Sequence, residues 1–220
     1  MILNQLNMQD MIGPACQEYL GFHDYGLSIM LGVFVIVGIF LLYLQFSGGI
    51  VFDYTEDTKL EFFWTFIPGV ILISLALPSL KLLYLMDSPG YSSLNYAVKV
   101  VGHQWYWSYE LIFQGSELNY DSYMLAEDEL VLGDFRLLEV DNPLLFLAGC
   151  FNQIYVTSDD VIHSFALPAL GIKLDAIPGR LNSQIVSALY VGSYYGQCSE
   201  ICGMNHSFMP INIEVVKEIK

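Results

Sequence analysis

Cations are what this chain has least of. Lys and Arg number eight in 220 residues, none before Lys59, against 23 acidic residues, for a formal charge of −15 at pH 7. Too few cations are present to neutralise a phosphate backbone, so nucleic acid is not an expected partner. The same scarcity excludes an ordinary transit peptide and argues against a signal peptide with a positive n-region. Insertion through the chain's own apolar segments is therefore expected. Cysteine occurs four times, too rarely for a disulfide-dense scaffold, and no internal repeat or low-complexity stretch is present. Charged residues of all kinds make up 14% against 55% hydrophobic. A soluble domain carries about 25% charged residues, so part of this chain has a non-aqueous solvent.

Residues 26–46 contain no charged side chain. At about 1.5 Å per residue they reach roughly 30 Å, the thickness of a bilayer's hydrocarbon core. Residues 62–82 form the second expected span. Pro68 and Pro78 would be costly in an isolated helix but are tolerated where neighbours satisfy the freed carbonyls, and Lys81 can snorkel to the interface. Two buried core helices are the alternative, but a chain this size could not cover both. Two spans place both termini on one side and the acidic loop 53–57 on the other. With only Lys59 and Lys81 to count, the positive-inside rule leaves the orientation open.

The organisation expected is thus an N-terminal segment and helical hairpin over 1–89, then a β-domain over 90–220. The remainder is enough for a β-sandwich. Residues 94–101, 105–113, 137–140 and 152–156 read as strands, with 157–160 as a turn.

Chemistry concentrates in the run from Cys198 to Met209, which places two thiols, an imidazole (His206) and a thioether in one loop. Thiolate and thioether are soft donors, and the set suits copper. A single-copper electron-transfer site uses one Cys; here Cys202 lies four residues from Cys198, and a spare thiolate can bridge a second metal. Two metals call for two imidazoles, and His163, in the strand-like run Val161-Ile162-His163-Ser164-Phe165, is the other one in reach after folding. A Cys198–Cys202 disulfide and a zinc site that leaves Met209 idle are the competing readings.

The run from Tyr194 to Pro210, the segment Gly102-His103-Gln104-Trp105-Tyr106-Trp107-Ser108-Tyr109-Glu110, Leu138-Glu139-Val140-Asp141-Asn142, Val161-Ile162-His163-Ser164 and Leu174-Asp175-Ala176-Ile177-Pro178-Gly179-Arg180 occur in an order that resembles the cytochrome c oxidase subunit 2 family, mitochondrial type. With the spans, the resemblance covers nearly the whole chain. It implies an α+β membrane protein: a two-helix transmembrane hairpin followed by a cupredoxin-like Greek-key β-barrel. It implies two copper ions (copper A) held by His163, Cys198, Cys202, His206, Met209 and the main-chain carbonyl of Glu200. The Glu200 side chain would reach magnesium or manganese shared with subunit 1.

The resemblance further implies that electrons arrive from cytochrome c at Trp105 and leave for haem in subunit 1, where oxygen is reduced to water with proton pumping. Sequence alone reads the Trp105-Tyr106-Trp107 run as packing. By resemblance Glu61 lies at a proton-path mouth, though an interfacial anchor is as good a reading. Asp175 and Arg180 are implied to contact subunit 1. The donor should be basic, because residues 87–220 hold 16 acidic against 6 basic residues, a formal −10. Glu110, Glu117, Asp141, Asp159 and Asp160 are the candidate docking acids, with Glu127-Asp128-Glu129 as a displaced patch, since Leu111-Ile112-Phe113-Gln114-Gly115 lacks the acids related chains often carry. The implied location is the mitochondrial inner membrane, multi-pass, with the C-terminal domain in the intermembrane space and the other oxidase subunits as partners. His23 and His103 are expected to be structural, and Cys16 and Cys150 free buried thiols. A membrane-tethered copper carrier without an oxidase partner, and a metal-free subunit with a Cys198–Cys202 disulfide, are the alternatives.

Overall fold

The computed structural model describes residues 8–49, 56–87, 96–113 and 116–217. Residues 53–55, 90, 94–95 and 114–115, named in the expectations above, lie outside that set. Two helices come first: α1 (Pro14–Phe46) and α2 (Thr58–Asp87). Both run past the uncharged stretches that flagged them, because a charged side chain does not interrupt a helical backbone and proline at the first position favours one. Helix α1 starts on Pro14 and ends at Phe46; the hydroxyl of Ser47 behind it donates to the Leu44 carbonyl at 3.1 Å, before Gly48 takes φ +63. Helix α2 starts behind Asp57, whose Oδ1 accepts the Lys59 and Leu60 amides at 2.9 and 3.2 Å, an N-cap. The most apolar window of α1 has mean hydropathy 2.8 and no buried residue; that of α2 has 2.0 with 6% buried. Helices this long, apolar on every face and bare of protein cover, suit a lipid environment.

Pro78 lies inside α2 and lacks the amide that would bond the Ser74 carbonyl four residues back. The Tyr25 hydroxyl of α1 donates to that carbonyl at 3.4 Å. One helix of the pair thus satisfies the backbone group that proline frees in the other.

Among the described residues ten strands build the second unit: β1 (Tyr96–His103), β2 (Tyr106–Phe113), β3 (Ser116–Ser122), β4 (Leu144–Leu147), β5 (Phe151–Ser158), β6 (His163–Leu167), β7 (Ile172–Ala176), β8 (Asn182–Ser187), β9 (Gly192–Cys198) and β10 (Pro210–Val216). They form two five-stranded sheets, ordered β3-β2-β1-β5-β8 and β4-β10-β9-β6-β7. Strand alternation makes the core: Val98 and Val100 on β1 and Trp107 and Tyr109 on β2 point inward and are fully buried. Across the sandwich Phe165 of β6 meets Trp107 edge to face, ring centroids 5.3 Å apart. Such a pair adds about 1 kcal/mol beyond area burial.

Residues 137–140 differ from their expectation. They form a turn in which Leu137 has φ +65, and only Val140 pairs, through a single bridge to Met124. Leu138 and Val140 are buried, so the apolar signal was real but marks a turn folded into the core. The helical unit comprises Glu18–Leu85, whereas the described residues before it group with the β-domain. Ile12 explains this: it is buried, its amide donates to the Ala169 carbonyl at 3.0 Å and its carbonyl accepts the Leu189 amide at 2.8 Å.

Candidate metal centre

Residue 163 opens β6 and residue 198 closes β9, and the antiparallel register sets Phe165 opposite Cys198. That pairing carries a His and a Cys 35 residues apart in sequence to the same end of one sheet. The approach of the two strands is tight: a Cβ at Gly196 would lie 2.0 Å from the Ala166 carbonyl oxygen, so only glycine fits.

His163 is fully buried, and its ring lies against Gly102, where a Cβ would come within 2.9 Å of Cδ2. Its Nε2 is 2.8 Å from Oδ1 of Asp160. A carboxylate only accepts, so Nε2 carries the proton and Nδ1 presents a lone pair. That Nδ1 faces the Cys198 sulfur at 3.9 Å. The Cys198 and Cys202 sulfurs are 3.9 Å apart, buried and not bonded to each other. Beyond Cys202 come His206 Nδ1 at 3.4 Å and Met209 Sδ at 3.5 Å. The Glu200 carbonyl oxygen is 3.4 Å from the Cys198 sulfur.

His163, Cys198 and Cys202 offer donor atoms mutually within 4.8 Å, a group that His206 does not join. The imidazole of His163 lies next to the Cys198 sulfur and that of His206 next to the Cys202 sulfur. Two metal–sulfur bonds of about 2.3 Å can span at most about 4.6 Å, so both sulfurs can ligate one metal between them. Two thiols between two imidazoles, with a thioether and a carbonyl beside them, fit a pair of soft-liganded ions better than one, and the sulfur count fits copper.

The protonation of the sulfurs is split. Burial raises the Cys198 thiol, but hydrogen bonding to His163, the Glu200 and Ser164 backbone and His206 outweighs it and brings it down. Burial, then the charge on Cys198, pushes Cys202 up. The two sulfurs titrate as a pair in which a first thiolate opposes a second.

Residues outside the expected ligand set hold the site. The Gln104 side-chain amide donates to the Cys202 carbonyl at 2.7 Å, and its backbone amide to Oδ2 of Asp160 at 2.6 Å. Trp107 Nε1 donates to the Met209 carbonyl at 3.2 Å. Gly203, at φ +125, lets Trp105 lie on the loop: a Cβ there would be 3.1 Å from Cζ2 of the indole. Trp105 is half-buried, whereas Trp107 is core. No pattern in the sequence singled out Gln104 or Gly203.

The candidate docking acids separate by what they touch. Asp160 is committed to His163, Gln104 and the Val161 amide, so it is a positioning group for the site. Its spacing three residues before His163 was the available signal. Glu110 pairs with Lys99 at 2.9 and 3.0 Å, and Asp141 accepts the Tyr123 amide at 2.8 Å. Glu117 and Asp159 are exposed without a side-chain partner among the described residues. Glu127 pairs with Arg136, Glu129 accepts the Ala126 amide at 3.2 Å, and Asp128 stays exposed. Asp175 accepts the Ser164 hydroxyl at 2.9 Å beside β6, and Arg180 is exposed in the turn after Gly179. Glu200 is half-buried. Glu61 is exposed in the first turn of α2, in the helical unit. His103 stacks on Tyr106 with centroids 4.5 Å apart, while His23 is 3.2 Å from Asp24. Cys16 is buried, but Cys150 is only half-buried.

Residues 96–216 match the family described as Cytochrome C oxidase subunit II, periplasmic domain, and residues 2–82 match its transmembrane domain. The chain is 47% identical over 212 residues to cytochrome c oxidase subunit 2 of Albinaria caerulea, covering 96% of this chain and 93% of that one. It is 50% identical over 214 residues to that of Metridium senile, covering 96% and 85%. Among solved structures, the periplasmic domain of subunit II of cytochrome oxidase from Bradyrhizobium japonicum superposes with a TM-score of 0.53 at 45% identity, over 59% of this chain and 89% of that one.

Proposed function

Because this chain belongs to the cytochrome c oxidase subunit II family, we propose that it receives electrons from cytochrome c and delivers them to haem in subunit 1, where oxygen is reduced to water and protons are pumped. The observation that carries the reading is the buried cluster of two thiols, two imidazoles and a thioether at the end of β6 and β9. Two copper ions bound there would share one electron through the bridging sulfurs, so that each metal–ligand bond changes little between redox states.

The chain's own residues supply the rest. Asp160 keeps the His163 lone pair aimed at the sulfurs, and Gly102 walls the ring in place. Trp107 and Gln104 tie Met209 and Cys202 to the first sheet, so the loop is held by a rigid scaffold. Trp105, its indole against Gly203, offers an aromatic edge for the incoming electron. The acidic domain steers a cationic donor toward it, with Glu117, Asp128 and Asp159 as the acids free to meet that donor. The Glu200 carboxylate is a hard donor suited to a magnesium or manganese ion at the subunit 1 boundary, where Asp175 and Arg180 also make contact. Glu61 serves the mouth of a proton path. The proposed location is the mitochondrial inner membrane, with the β-domain in the intermembrane space, in keeping with relatives from animals.

Rapid mixing of the assembled oxidase with reduced cytochrome c tests the reading. The account expects fast electron uptake that weakens as ionic strength rises and slows many-fold in Trp105→Ala with copper content unchanged. Uptake indifferent to both salt and Trp105 would contradict it.

A further inference from the structure

The bond from Tyr25 to the carbonyl freed by Pro78 sets residues 18–25 of α1 beside residues 74–85 of α2, at one end of the hairpin. A cavity of about 330 Å³ opens there, lined among others by Glu18, Gly21, Phe22, Tyr25, Pro78 and Lys81. Its walls are apolar apart from two opposite charges, Glu18 and Lys81. Neither forms an ion pair or side-chain hydrogen bond among the described residues. Glu18 lies before the uncharged stretch of α1 and Lys81 at the end of the second expected span, from which its side chain can reach the headgroup level.

We propose that this cavity binds a phospholipid with a primary-amine headgroup, the phosphate on Lys81 and the ammonium on Glu18. The charge pattern selects the class. A single phosphate satisfies the ammonium of Lys81, and a primary ammonium can donate hydrogen bonds to the Glu18 carboxylate. A choline headgroup has no N–H to donate, and a glycerol headgroup offers Glu18 only neutral hydroxyls where the amine headgroup offers a cation. The aromatic ring of Phe22 and the flat edge of Pro78 provide apolar contact for the chain region below the headgroup. Gly21 keeps the space open: a Cβ there meets nothing within 4 Å. The proposal rests on the hairpin being membrane-embedded and is independent of the metal centre.

The test is native mass spectrometry of the full chain in mild detergent after incubation with equal amounts of phosphatidylethanolamine, phosphatidylcholine and phosphatidylglycerol. The expected result is one retained phosphatidylethanolamine per chain, at least tenfold over the other two. Gly21→Leu, which fills the cavity while raising helix propensity, should abolish that retention. Lys81→Gln should weaken it, and Glu18→Gln should erase the preference over phosphatidylglycerol. Helical circular dichroism checks that each variant is folded. Equal retention of the three lipids, unchanged retention in Gly21→Leu, or cross-linking of Gly21→Cys to another oxidase subunit within the intact complex would overturn the site. A chain that fails to integrate into vesicles would instead overturn the membrane reading on which the site rests.

Discussion

The carboxylate of Asp160 accepts from Nε2 of His163 at 2.8 Å, and through that bond it decides which ring nitrogen faces the sulfurs. Such partners of metal-bound imidazoles typically contribute 10- to 100-fold in metal affinity. Asp160→Ala should therefore weaken copper binding by about that factor while leaving the fold intact. Competition against a chelator of known affinity measures it. Unchanged affinity would reduce Asp160 to a surface acid.

Gly196 is where β9 passes the Ala166 carbonyl, and a methyl there would lie 2.0 Å from its oxygen. Backbone cannot yield as a flexible side chain can. Gly196→Ala should cost about 2 kcal/mol or more, equivalent to a fall of about 8 °C in Tm for a domain of this size. Because β9 carries Cys198 and β6 carries His163, copper loading should fall with it. A thermal melt and a copper assay on the same variant test both halves.

Two phenols make the β-domain sensitive to alkali. Burial, and then the neighbouring Tyr120, hold the Tyr109 hydroxyl far above the ordinary tyrosine range, and burial pushes Tyr120 up to about 12. In the unfolded chain both ionise near pH 10, so the folded state keeps protons that the unfolded state has lost. Their contribution to stability is complete below about pH 10 and drains away as pH rises toward 12. Melting temperature against pH should show that decline, and it should be shallower in the Tyr109→Phe, Tyr120→Phe double variant. An identical slope in the double variant would assign the alkaline loss elsewhere.

Much of this molecule could be read from residue order, for physical reasons that also set the limit. The hairpin was legible because an uncharged stretch of bilayer length has few other uses, yet its helices run on to Pro14 and Asp87, since charge marks solvent and not backbone conformation. The ligands were legible because thiols, imidazole and thioether cluster in one loop. His163 was legible as the second imidazole, but the means that brings it to Cys198, the β6–β9 register, was not. Asp160 reads as a docking acid when judged by charge alone, and that both its oxygens are bonded, to His163 and to Gln104, depends on the fold. Residues 137–140 read as a strand, although 137–138 lie in a turn, because buried apolar side chains give the same short signal in either conformation.

The central claim is that the sulfur pair holds two coppers sharing one electron. Electron paramagnetic resonance of the full chain, reduced and then loaded with copper, addresses it most directly. The account expects two coppers per chain and a hyperfine pattern from two equivalent nuclei, collapsing in Cys202→Ser. A single-copper pattern, or one copper per chain at saturation, would contradict it.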